Sequence, residues 1–251
     1  MRVLVAAGLD PTGGAGLAAD VEALLAVGAR ALPVATALTV QGPAGALRFE
    51  SVPARWVAAQ VKGLFRGGGE KPAAMKTGML GSGANAAALA RLLVSGPLSG
   101  VPLVVDPVLS ASSGLLLLED ARGRRPLAVL APLLARAAVV TPNWSELAEL
   151  CGVELGALRS DDDAVEAARR LPCQAVLVKG GHRRGAPVDL LVRPREVRRF
   201  EGRRRPGTAR GTGCRLASAI AGLLAQGAPL DEAVRGAKRV VERYLDREGM
   251  R

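Results

Sequence analysis

"RVLVAAGLDPTGGAGLAADVEALLAVGA" (2–29) passes from an apolar run, through a glycine-rich turn, into an Ala/Leu-rich stretch. The run at 2–7 does not alternate, so a strand there has both faces covered. The stretch at 15–27 has helical length and composition. Strand, tight turn and helix in succession open a βαβ unit. The same alternation continues, with strands expected at 2–7, 32–40, 73–78, 102–106, 137–142, 175–180 and 188–192. Helices are expected at 15–27, 53–65, 83–94, 143–151, 161–170, 213–226 and 230–247. Apolar strands separated by helices predict an α/β fold, a mostly parallel sheet with helices on both faces. With no internal repeat and no long linker, the expected organisation is one domain over 1–251.

The formal charge of +11 raises the question of nucleic acid, and arginine dominates it, as in "RPREVRRFEGRRRP" (193–206). Three Phe, two Trp and one Tyr give few platforms for base stacking. No helix-turn-helix, zinc-finger or RNA-recognition signature is present. The arginines therefore read as solvated faces that also attract an anionic substrate. Cys151, Cys173 and Cys214 are widely spaced, and the single histidine is His182. That spacing excludes a zinc framework and suits a reducing, cytoplasmic compartment. The apolar run at the N-terminus is too short for a signal peptide. No stretch is long enough for a membrane span.

In sheets of this kind, ligands bind beyond the carboxyl ends of the strands. The unusual residues gather there: Asp10 to Gly16, Gln41, Met79, Asp106, Asn143 and the "KGGH" turn (179–182). Each motif has a structural and a functional reading. "GLDPTGGAGLAAD" (8–20) is a tight βα turn or a phosphate-facing loop, and Asp20 in its helix would ordinarily face solvent. In "TPNWSEL" (141–147), Asn143 and Glu146 have capping-box spacing, or Glu146 joins a metal–phosphate cluster with Asp106. Asp106 could equally be a turn acid before Pro107. In "RGTGCR" (210–215), the glycines leave backbone N–H groups open at a helix start, where an anion would be welcome. Cys214 is then either a small buried residue or a thiol driven toward thiolate by the helix field, with Arg210 and Arg215 pushing the same way.

Taken together, "AGLDPTGGAGLAADVEALLAVGA", "ATALTVQ", "MKTGML", "VVDPVL", "TPNWSELAEL", "VLVKGGH" and "GTGC" resemble one family in one register. It is the bacterial hydroxymethylpyrimidine/phosphomethylpyrimidine kinases, within the ribokinase-like superfamily. The resemblance implies a three-layer α/β/α sandwich, a homodimer, ATP and Mg²⁺. It implies phosphoryl transfer to a hydroxymethylpyrimidine and then to its monophosphate, in thiamine biosynthesis. By position, Gln41 would hydrogen-bond the aminopyrimidine with Asp20 nearby, and Gly8, Met79 and Val108 would line its pocket. Asp106 and Glu146 would serve the metal, with Asn143 and Lys179 in the nucleotide–phosphate region. Gly211, Thr212 and Gly213 would form the anion hole, and Cys214 would be the general base. The chain departs from the family pattern at Gly42, Ser112, Arg210 and Arg215, and in the shortened "RRGAPVD" (183–189). Three alternatives stand beside it: a pyridoxal/pyridoxine kinase of the same superfamily, a non-catalytic pyrimidine binder suggested by the altered flanks of "GTGC", and a nucleic-acid module suggested by the charge of +11.

Overall fold

The computed structural model describes every residue except 43–44, 112, 119–124, 182–185, 206–208 and 250–251. Ser112 and His182 therefore lie outside the described residues. A single nine-stranded sheet runs in the order β3-β2-β1-β4-β5-β6-β7-β8-β9. Its parallel centre is β2 (Arg30–Gly42), β1 (Arg2–Leu9), β4 (Ala74–Thr77), β5 (Leu103–Val105), β6 (Ala137–Val140) and β7 (Val176–Val178). The antiparallel strands β3 (Gly45–Ser51) at one edge and β8 (Val188–Val192) with β9 (Val197–Glu201) at the other extend it.

Successive residues of the central strands enter opposite layers, as the two-residue period requires. Leu4, Ala6, Met75, Leu103, Val105 and Val140 pack under α2 (Ala54–Gly63), α3 (Gly83–Ser95), α4 (Pro126–Leu134), α5 (Trp144–Cys151) and α6 (Asp161–Ala168). Val3, Val5, Ala74, Val104, Val139 and Leu177 pack under α1 (Gly16–Ala26), α7 (Thr212–Ala225) and α8 (Leu230–Glu248). The three-layer α/β/α arrangement follows from that division. No helix among the described residues is long and apolar enough to cross a membrane.

All seven expected helices and all seven expected strands form, and among the described residues two further strands, one further α-helix and a short 3-10 helix (Leu155–Ala157) join them. Strand β3 leaves Leu47 and Arg48 exposed, and β9 buries Phe200 alone among its five residues. Such edges carry little of the apolar signal that marks a central strand. Helix α4 contains Pro132, a residue that ordinarily argues against a helix. Burial of Val129, Leu130, Leu133 and Leu134 outweighs the backbone hydrogen bond lost there.

Candidate active site

The floor of the site is a buried ion pair. Lys76 is the third residue of β4, and Asp20 lies one turn into α1; both side chains are 0% exposed. Lys76 Nζ donates to Asp20 Oδ1 at 2.7 Å, and Ser218 Oγ of α7 donates to the same oxygen at 2.7 Å. Asp20 thus does not face solvent. Its Oδ2 is buried without a hydrogen-bond partner. Burial, above all, lifts the Asp20 carboxyl above its ordinary range despite Lys76 and Ser218. For Lys76, burial works against the charge, but Asp20, then Cys214 and Asp106, outweigh it and raise its pKa.

The mouth is built from the ends of β5, β6 and β7. Asp106 follows β5, 2% exposed, and its Oδ1 accepts from Lys179 Nζ at 2.9 Å and Thr141 Oγ1 at 3.2 Å. Glu146 Oε2 lies 3.6 Å from the same Nζ. The capping box and the cluster are both present. Asn143 Oδ1 accepts from the Glu146 amide at 2.9 Å, while Glu146 Oε2 accepts from the Asn143 amide at 2.7 Å. The cap therefore fixes the carboxylate that Lys179 meets. Burial opposes the charge on Asp106, yet Lys179 and Lys76 hold its carboxyl low. Burial, with Asp106 adding to it, pushes Glu146 up against the pull of Lys179. Two neighbouring carboxylates with opposite shifts are a pattern found at functional sites.

Helix α7 opens onto this cluster. Gly211 adopts φ +70°, and a Cβ there would lie 2.1 Å from the Gly14 carbonyl oxygen, so only glycine allows the approach. A Cβ on Gly213 would lie 3.0 Å from Lys179 Nζ and 4.0 Å from Asp106 Oδ1. The first turn of α7, with Thr212 and Gly213, thus stands over the lysine. Cys214 follows, and of the two readings the sequence left open its environment works against the thiolate. Burial pushes the thiol up to about 11, Asp20 and Asp106 add to the rise, and Lys76 and the Gly16 amide only partly oppose it. The flanking arginines are engaged elsewhere: Arg215 with Glu22 at 2.6 Å, Arg210 with Asp10 at 3.5 Å.

On the other side lies a small apolar patch of Ala37, Met79 and Leu117, with Val108 and Phe49 against it. Gly8 sits at a register shift in β1, and a Cβ there would reach Met79 Sδ at 2.8 Å. Gln41 follows a second irregularity in β2 and its side chain favours the charged form of Asp10. Asp10 is 4% exposed and also accepts from the Thr12 amide at 2.9 Å and the Ala15 amide at 3.0 Å. Burial opposes its charge, but Gln41, Thr12 and Arg210 together hold its carboxyl low.

Sequence reasoning missed Lys76, Thr141, Ser218 and the anchoring role of Asp10. For Lys76 the signal was available: a cation inside the apolar strand "AAMKTG" (73–78) needs a buried counterion. Among the described residues, no group of three or more His, Cys, Asp or Glu could hold a metal ion. The charged groups available are two carboxylates and a lysine.

A family model described as phosphomethylpyrimidine kinase matches residues 10–250. The hydroxymethylpyrimidine/phosphomethylpyrimidine kinase of Rhizobium meliloti is 40% identical over 238 residues, spanning 92% of this chain and 85% of its own. The solved phosphomethylpyrimidine kinase of Clostridium difficile superposes with a TM-score of 0.78 at 28% identity, covering 98% of this chain and 99% of that one. Pyridoxal kinase from Staphylococcus aureus, in complex with AMP-PCP and pyridoxal, superposes with a TM-score of 0.80 at 27% identity, covering 96% and 86%.

Proposed function

The chain belongs to the phosphomethylpyrimidine kinase family, and we propose that it phosphorylates 4-amino-5-hydroxymethyl-2-methylpyrimidine and then the monophosphate, using ATP. It is a phosphotransferase with a ribokinase-like α/β fold. The observation that carries the reading is the meeting of Asp106, Glu146, Lys179 and Cys214, contributed by separate segments, at the mouth of the sheet above the buried Lys76.

In this reading the Gly8, Met79 and Val108 patch takes the ring. Gln41, whose side chain favours the charged Asp10 carboxylate, would offer its carbonyl oxygen to the exocyclic amine. The amides around Gly211, Thr212 and Gly213 receive the transferred phosphoryl group, and Lys179 adds a positive charge beside it. Asn143 fixes Glu146 through the cap. The residues fit Mg²⁺, which takes one or two carboxylates together with phosphate oxygens. Asp106 and Glu146 would hold the cation, which when bound would neutralise charge on the phosphates. Cys214 carries its proton in the free protein and gives it up to solvent before transfer; the thiolate so formed takes the proton of the hydroxymethyl group while that oxygen bonds to the γ-phosphorus and ADP leaves. In the second round the acceptor is an anionic phosphate oxygen, with no proton to remove. Loss of the thiol should therefore slow the first transfer far more than the second.

One domain over 1–251 and a homodimer remain parts of the proposal. Leu38, Val40 and Leu47, 51%, 46% and 73% exposed on β2 and β3, support an apolar contact face. The pyridoxal-bound neighbour favours one other reading, phosphorylation of a vitamin B6 alcohol in the same pocket. ADP release with Mg²⁺-ATP, comparing hydroxymethylpyrimidine, its monophosphate, pyridoxal and no acceptor, separates the two. Turnover confined to pyridoxal would replace the substrate, and no turnover with any acceptor would overturn the kinase reading.

A further inference from the structure

We propose that Arg215 is a positioning residue that locks the glycine-rich loop onto the helix carrying Cys214; its catalytic consequence rests on the proposed role of that thiol. Arg215 directly follows Cys214 in α7 and is 4% exposed. Its Nη1 donates to the Gly14 carbonyl at 2.9 Å and to the Arg210 carbonyl at 3.3 Å. The other edge of the guanidinium donates to Glu22 Oε2, from Nε at 3.2 Å and Nη2 at 2.6 Å. The Tyr244 ring of α8 stacks on it, with the guanidinium carbon 3.7 Å from the ring centroid, and Tyr244 Oη donates to the same Arg210 carbonyl at 3.1 Å.

Nη1 therefore bridges two backbone carbonyls, one in the loop after β1 and one in the turn before α7. Gly211 is packed into the same contact: a Cβ there would lie 2.7 Å from Nη1. The same Cβ would lie 3.1 Å from Ala15 Cα, so the loop beyond Gly14 packs on the turn that leads into Cys214. Holding the Gly14 carbonyl thus holds the loop against the start of the helix that carries the thiol. A lysine could keep a charge near Glu22, but it lacks the planar fork needed to serve the carboxylate and both carbonyls together.

The variants Arg215→Lys and Glu22→Gln separate positioning from simple ion pairing. In Arg215→Lys, kcat for hydroxymethylpyrimidine should fall roughly tenfold to a hundredfold with little change in KM, as expected when reacting groups lose alignment. Hydrogen–deuterium exchange over 10–16 should quicken in the same variant. Glu22→Gln should lower the melting temperature while leaving kcat and loop exchange near wild type. Wild-type kcat and loop protection in Arg215→Lys would overturn the proposal. So would Glu22→Gln reproducing both defects, because the ion pair and not the bridge between the two carbonyls would then carry the effect. Absence of turnover in the unaltered protein would strike the kinase reading alone, and loop exchange would still decide the lock.

Discussion

Lys76 and Lys179 both end parallel strands, and both meet carboxylates at the same side of the sheet, yet they occupy opposite electrostatic situations. Lys76 and Asp20 are sealed, each 0% exposed, and Ser218 completes the pair. Lys179 is 13% exposed, stands under the first turn of α7, and is shared between Asp106 and Glu146. The sealed pair is a fixed internal charge. The open one can exchange partners with phosphate or a cation. Cys214 feels both lysines, which makes it the point where the two regions meet.

Removing the sealed cation should have the largest effect. Lys76→Met leaves Asp20 buried without its partner, and breaking such a pair costs about 3–5 kcal/mol. Urea unfolding measures it. A loss below about 1 kcal/mol would mean that the pair is not sealed in solution. Cys214→Ala should come next, with first-step kcat reduced by about 10²–10⁴-fold, the usual scale for a general base. Single-turnover assays on the alcohol and the monophosphate test it, and an equal loss on both would break the base assignment.

Alkaline pH probes the same junction. The folded Cys214 thiol holds its proton up to about 11, against an ordinary value of 9.0, so folding favours the neutral form. Its contribution is fully present below pH 9 and is lost as pH rises through 11, by about 3 kcal/mol at 1.36 kcal/mol per unit. Relative to wild type, Cys214→Ala should lose less stability over that window. Lys179→Met should destabilise by only about 1–2 kcal/mol, with millimolar Mg²⁺ restoring most of it. Mg²⁺ should not rescue Lys76→Met, and equal rescue of both would erase the distinction between the regions. The smallest effect is expected from Gln41→Ala. It should weaken pyrimidine binding by about 1 kcal/mol, the worth of one hydrogen bond, as read by calorimetry.

The central strands were legible because burial on both faces writes an unbroken apolar run, as in "PLVVD" (102–106). The same logic hid β3 and β9, whose exposed residues follow the surface and not the core. Asp106, Glu146 and Cys214 could be picked out because acids and thiols at strand ends are unusual in themselves. The coupling among them was not legible. Lys76 reaches Asp20 across 56 residues of chain, and Asp20 reaches Ser218 across 198. Nor could spacing alone tell that Asn143 and Glu146 serve both the cap and the cluster. The sequence left the ionisation of Cys214 open for a physical reason: the helix start was legible, but the desolvation around Cys214 depends on tertiary packing.

The same desolvation sets how the protein meets oxidants. Burial holds Cys151 above the usual thiol range, Cys173 up to about 12 and Cys214 up to about 11. Peroxides and alkylating agents attack thiolates, so the free protein offers them little to react with at neutral pH. Its key sulfur is thus preserved without a disulfide or a resolving cysteine. A covalent inhibitor would gain more from an electrophile delivered by a pyrimidine-like carrier than from a more reactive warhead.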